Sequence, residues 1–165
     1  MKFLIKALCI FALALLCGAV IRGYSKFMKK RLSESLDMLT VIEAVRRGIS
    51  TRLMTPRECL SAELSLSSEA VADFCREVAC GKTLKEALAV LQPRLSLSRE
   101  CRAILSEYFS AFGTGYREDE IRLADEVIER YGARLSEERA EGENDARVFK
   151  SVAVAVTLGI IILII

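Results

Sequence analysis

The sequence predicts an all-α protein: a small antiparallel helical bundle between an N-terminal and a C-terminal transmembrane helix. Three observations predict it. Both ends of the chain are apolar, whereas every acidic residue lies between Glu34 and Asp145. The middle repeats helix-start signals followed by apolar residues at three- and four-residue spacing. No stretch alternates apolar and polar residues long enough to argue for a strand. The 165 residues leave room for one ordinary domain with attached segments. With 52% apolar and 28% charged residues, disorder of the whole chain is excluded.

The first element is the apolar run Phe3 to Ile21, interrupted only by Lys6. A spanning helix needs roughly 20 apolar residues, which makes 3–21 an N-terminal transmembrane helix. A cleaved signal peptide is the competing reading, since Lys2 and Lys6 form a basic start, but the cleavage pattern around Cys17 and Ala19 is poor. Arg22, Lys26, Lys29, Lys30 and Arg31 follow the run at once. By the positive-inside rule this basic collar places the central region, 22–147, in the cytoplasm of a two-pass protein of the cell membrane. The final element, 148–165, is the second transmembrane helix. Its one charge, Lys150, sits near the end and can reach the interface with its long stem.

Within the centre, Leu36, Leu39, Ile42 and Val45 suggest a helix from Ser33 to Arg47, closed by Gly48. Thr55-Pro56-Arg57-Glu58 joins a threonine cap, a proline at the first helical position and a glutamate placed to complete a capping box. After Ser67 and Ser68, the set Val71, Phe74, Cys75, Val78 and Ala79 lies on one helical face, and Gly81 stops it. Thr83 with Glu86 forms a second box before Leu84, Ala87, Leu88 and Leu91, with Pro93 as terminator. Ser98 opens a helix with Cys101, Ile104, Leu105, Tyr108 and Phe112 on its apolar face, ending at Gly113. Phe74 and Ile104, central in their stripes, are expected in the core.

The last helix is expected to start near Tyr116, because Glu118, Asp119 and Glu120 suit the positive end of a helix dipole. Ile121, Ala124, Ile128, Tyr131 and Leu135 mark its buried side, and Gly142 is the place for a bend. Glu118 with Arg122, Glu126 with Arg130 and Glu143 with Arg147 are i, i+4 pairs in the favourable order.

The near-neutral total of 24 basic and 22 acidic residues hides a polarity. Arg22 to Arg57 holds nine basic residues against three acidic, and Arg117 to Lys150 holds seven against eleven. No basic stripe interleaves with aromatics, so nucleic acid is not an expected partner. The absence of histidine removes His-based triads, His-ligated metals and histidine pH switches. There is no phosphate-binding loop, and none of the six cysteines forms a C-x-x-C pair. Cys75 and Cys101 lie on apolar faces and read as small buried hydrophobes in a reducing compartment. No catalytic residue, cofactor or metal site is expected, and the protein is not expected to be an enzyme.

The run Phe112-Gly113-Thr114-Gly115-Tyr116-Arg117-Glu118-Asp119-Glu120-Ile121, then a charged helix, then Arg147-Val148-Phe149-Lys150 and a terminal anchor, resembles the stage III sporulation protein AB family. The N-terminal anchor and the helix, glycine and turn of Glu43 to Leu53 fit it too. The chain departs from the family's usual residues at Arg52, Phe112, Tyr116 and Glu120. The resemblance implies a reduced relative of the type II secretion system F platform protein with one cytoplasmic helical domain. It also implies a place in the channel complex joining mother cell and forespore in endospore-forming bacteria, coupling a secretion-type ATPase to membrane parts and to other subunits. The implied partners are the lipid bilayer, that ATPase and the other channel subunits, with self-association left open. The alternative is a membrane-anchored helical adaptor unrelated to sporulation. Arg117, Glu118, Asp119 and Glu120 are the expected partner contact: a helix dipole is satisfied by one or two acids, so the remaining charge can engage a basic surface. The competing reading is a solvated helix start. Arg22, Lys26, Lys29, Lys30, Arg31 and Lys150 are the expected membrane-flanking cations.

Overall fold

The computed structural model describes the backbone of all residues except 1, 53, 62, 63 and 165. It also describes the side chains, except at those positions and at 2–10, 13, 14, 52, 161, 163 and 164. All described elements are helices: α1 (Lys2–Arg52), α2 (Pro56–Ser61), α3 (Glu69–Ala79), α4 (Leu84–Leu91), α5 (Arg99–Ala111) and α6 (Arg117–Ile164). The chain divides into two compact units, one made of Lys30–Glu138 and the other of Met1–Lys29 with Arg139–Ile165. Among the described residues no helix is long and apolar enough to cross a membrane. The expected spans 3–21 and 148–165 both lie partly outside the described residues.

The unit Lys30–Glu138 is a helical bundle. Successive helices pack on each other, α2 on α3, α3 on α4 and α4 on α5. The ends of α1 and α6 that belong to this unit run antiparallel: Arg31 pairs with Glu138, Arg46 with Asp125, and Arg117 reaches Ile49 and Ser50. Its core gathers Met38, Val41, Ile42 and Val45 from α1, Phe74 and Val78 from α3, Leu105, Tyr108 and Phe109 from α5, and Ala124 and Tyr131 from α6. Phe74 stacks on Phe109 at 5.5 Å between ring centroids, and Tyr108 meets Phe112 edge-on at 5.7 Å. Ile104 packs against this core but stays half-buried.

The local punctuation forms as the sequence suggests. In both capping boxes the glutamate carboxylate accepts from the threonine backbone N–H, at 2.7 Å for Glu58 and Thr55 and 2.9 Å for Glu86 and Thr83. Gly81 ends α3 with φ of 106°, a left-handed value that glycine adopts without a Cβ penalty.

Four expectations are corrected. Leu36 is 47% exposed, and the buried face of α1 is instead Met38, Val41, Ile42, Val45 and Ile49. A helix repeats every 3.6 residues, so the strict three-residue series Leu36, Leu39, Ile42, Val45 drifts around the cylinder. Gly48 does not end the helix. It lets the α2 residue Cys59 approach, since a Cβ at Gly48 would collide with Cys59 Sγ. Likewise α6 continues through Gly142, where a Cβ would come within 2.8 Å of Met28 Cε. Of the three expected i, i+4 pairs only Glu126 with Arg130 forms, at 3.8 Å. Arg122 turns to Asp119 and Glu143 to Arg139.

The other unit pairs the early part of α1 with the late part of α6. Cys17 lies beside Ala153 and Thr157, Tyr24 stacks on Phe149 at 5.0 Å, and Met28 lies against Gly142. Rising numbers in α1 meet falling numbers in α6, so the two helices are antiparallel. Their outer faces are apolar: Phe11, Leu15, Leu16 and Val20 on α1, and Val152, Val154, Val156, Leu158 and Ile162 on α6, are all exposed.

Candidate functional site

The start of α6 is built by three residues with separate jobs. The Arg117 guanidinium donates to the carbonyls of Ile49 at 3.0 Å and Ser50 at 2.5 Å. These lie in the last turn of α1, where carbonyls lack intrahelical partners and a cation is favoured by the helix dipole. Glu120 turns inward and is only 7% exposed. Its Oε1 accepts from the backbone N–H of Gly113 at 2.8 Å and of Gly115 at 3.1 Å. The turn itself needs glycine at 113, where φ is 88°. Burial first, and the nearby Glu120 carboxylate second, push the Tyr108 phenol well above its ordinary range.

What remains outward is therefore smaller than the sequence suggests. Glu118 and Asp119 are exposed, with Asp119 3.3 Å from Arg122. Tyr116, expected as the helix start and as a departure from the family's usual residues, is 86% exposed between the clamped Gly113–Gly115 turn and the clamped first turn of α6. The four charges expected as a partner contact are thus divided. Arg117 and Glu120 hold the fold, while Glu118 and Asp119, with Tyr116, face solvent.

The basic collar is divided in the same way. Arg22, Lys26, Lys29 and Lys150 are exposed. Lys30 lies 3.6 Å from the buried Glu34, and Arg31 pairs at 3.1 Å with Glu138, which also neighbours Arg134 and Cys101. Arg134 in turn pairs with Glu100 and Glu137. Arg31 therefore belongs to an internal network of the bundle.

Two buried structural carboxylates carry no local mark in the sequence. Glu34 and Asp37, one helical turn apart on α1, are both buried. Glu34 Oε2 accepts from the N–H of Ser96 at 2.5 Å, holding the segment before α5. Asp37 Oδ2 accepts from Ser67 and Ser68 at 2.9 and 2.6 Å, holding the entry to α3. Ser68 stands at the cap position of α3 yet makes no capping bond with its own side chain. The only available signal was that these are the first two acids of the chain, set among apolar residues. Nothing local tells which backbone N–H groups they reach.

The three buried thiols are poor nucleophiles. Burial pushes Cys75 up to about 11 and raises Cys59 and Cys101 as well, which keeps them as protonated thiols at neutral pH.

The family model for stage III sporulation protein AB matches residues 4–165. The chain belongs to this family. No curated protein matches it, and no solved structure does. Family membership carries a role in stage III of sporulation, and the Gly113–Glu120 turn, the α1 carboxylates and the terminal helix pair are parts of a sporulation protein.

Proposed function

We propose that this sporulation protein is the membrane platform of a secretion-like channel complex between mother cell and forespore, with a helical domain of the type II secretion F kind. In this reading residues 3–21 and 148–165 span the cell membrane and 22–147 stand in the cytoplasm. The domain holds a secretion-type ATPase and passes its force to membrane parts through α1 and α6. The supporting observation is the antiparallel pair of terminal helices with an apolar exterior, from Phe11 at 66% exposure to Ile162 at 73%. A soluble protein rarely leaves so large an apolar surface in water, whereas lipid tails cover it without cost. Family membership disfavours an adaptor unrelated to sporulation.

The partner contact is assigned to Tyr116, Glu118 and Asp119, an exposed aromatic beside two acids on a turn that Arg117 and Glu120 keep rigid. Aromatic anchors and complementary charge are what transient interfaces use. The test is recovery of the ATPase with the membrane-extracted full chain. Glu118→Lys with Asp119→Lys should weaken recovery and reduce its salt dependence while helicity and membrane insertion persist. Unchanged recovery would leave the acids as a solvated helix start, and a chain extracted by alkali alone would refute the anchor.

A further inference from the structure

We infer that the bundle carries a basic groove, between the end of α4 and the first half of α5, that docks an acidic segment of a partner protein. A cavity of about 530 Å³ there is lined by Gln92, Leu97, Arg99, Arg102, Ala103 and Ser106. That volume lies in the range of about 300–1,000 Å³ that takes a drug-sized ligand, and it exceeds what one inorganic anion fills. All six residues belong to the unit Lys30–Glu138, so the inference stands apart from the membrane reading.

The spacing along α5 explains why the groove carries one sign of charge. Residues 99, 102, 103 and 106 follow the i, i+3, i+4, i+7 pattern of a single helix face. The acids of the same helix are engaged by another element: Glu100 pairs with Arg134 and Glu107 with Arg130, both on α6. The polar side chains that line the groove are two guanidinium groups, the Gln92 amide and the Ser106 hydroxyl, and all of them can donate a hydrogen bond. By contrast, the cavity beside Ser67 and Ser68 sets Lys30 and Arg94 against Glu34 and Glu69.

No acid of the bundle neutralises either arginine. Arg99 is exposed and Arg102 half-buried, and neither is in an ion pair among the described residues. Arg102 Nη2 donates to the Leu95 carbonyl at 3.0 Å, which fixes the planar head against the segment before α5. Both cations stand at the start of α5, where the helix dipole disfavours positive charge. Such a local conflict is expected where residues serve a ligand, and an incoming carboxylate relieves it. The donors extend from residue 99 to residue 106, roughly 10 Å along the helix axis. A single phosphate meets one end of that stripe, whereas a peptide with spaced carboxylates meets both arginines in the forked geometry that guanidinium groups favour. The contact proposed above at Tyr116, Glu118 and Asp119 follows the other end of α5, so the two surfaces differ in both place and charge.

The test uses the purified full chain in mild detergent and the fluorescence anisotropy of a labelled, alanine-rich helical peptide with glutamates three and four residues apart. The same peptide with glutamine at those positions is the reference probe. The glutamate peptide should bind, more weakly as salt rises, and the glutamine peptide should not. A part-exposed ion pair contributes up to roughly fivefold in affinity, so Arg99→Gln with Arg102→Gln should weaken binding about 10-fold. Arg99→Glu should weaken it as much with an unchanged unfolding midpoint, because Arg99 makes no hydrogen bond among the described residues; this variant decides the matter if the loss of Arg102 disturbs the Leu95 segment. The charge-matched Arg47→Gln with Lys85→Gln should bind as the wild type does. A wild type that does not bind the glutamate peptide, or groove variants that bind it equally well, overturns the inference. So does an equal loss in the Arg47 and Lys85 variant, which would reflect net charge alone. Displacement of the peptide by inorganic phosphate, at an ionic strength where chloride leaves it bound, would make the groove a small-anion site and overturn the partner assignment. Self-association of the full chain that Arg99→Glu abolishes would put a second copy in the groove and overturn it too.

Discussion

Replacing Asp37 should damage the bundle more than replacing Ser68, although Ser68 is the residue at the cap of α3. A serine cap exchanged for alanine ordinarily costs about 1 kcal/mol. Here the Ser68 side chain makes no capping bond, while Asp37 Oδ2 accepts from the N–H groups of both Ser67 and Ser68. A hydrogen bond to a charged group contributes about 1.5–3 kcal/mol, and losing the acceptor removes two of them. Asp37→Ala should therefore cost roughly 3 kcal/mol, Asp37→Asn about half of that because one neutral acceptor survives, and Ser68→Ala only a few tenths. At roughly 4 °C per kcal/mol for a unit of this size, the midpoints fall by about 12, 6 and 1 °C. The assay is thermal unfolding of the full chain in mild detergent, followed by far-ultraviolet circular dichroism. A Ser68→Ala loss as large as that of Asp37→Ala would refute the reasoning, for then the local cap would carry the helix start.

Three further expectations follow from single features. Phe74→Ala, at a fully buried position stacked on Phe109, should destabilise the bundle by about 3–5 kcal/mol in the same assay, and an unchanged midpoint would place Phe74 outside the core. Cys80 is exposed whereas Cys59, Cys75 and Cys101 are buried, so an impermeant maleimide should modify Cys80 in lysed but not in intact cells; modification in intact cells would reverse the proposed orientation. The Thr83 hydrogen bonds lower the Glu86 carboxyl below its ordinary 4.5, so the box contributes its full stability above 4.5 and loses it as pH falls through the lowered folded-state value. Glu86→Gln should flatten that acid limb, and a gap from the wild type that persists fully in acid would refute the assignment.

Much of the secondary structure is a property of near neighbours, which is why the sequence alone determined it. Thr55 with Glu58 and Thr83 with Glu86 are capping boxes because three residues separate their members, whatever surrounds them. The stripe Val71, Phe74, Cys75, Val78 is buried because a helix puts those positions on one side. The apolar ends and the family motif are likewise readable from order alone. The tertiary structure decided what each charge and glycine is for. Glu118 and Glu120 are equivalent as residues of an acidic helix start, but only Glu120 meets the Gly113–Gly115 turn. Gly48 and Gly142 look like a stop and a hinge, yet each admits a side chain from another element, Cys59 and Met28. Asp37 and Glu34 become caps for segments some 30 and 62 residues away. A hydrogen bond acts only within about 3 Å. Which donors come that close to a given carboxylate is set by packing of the whole bundle, and no spacing along the chain records it.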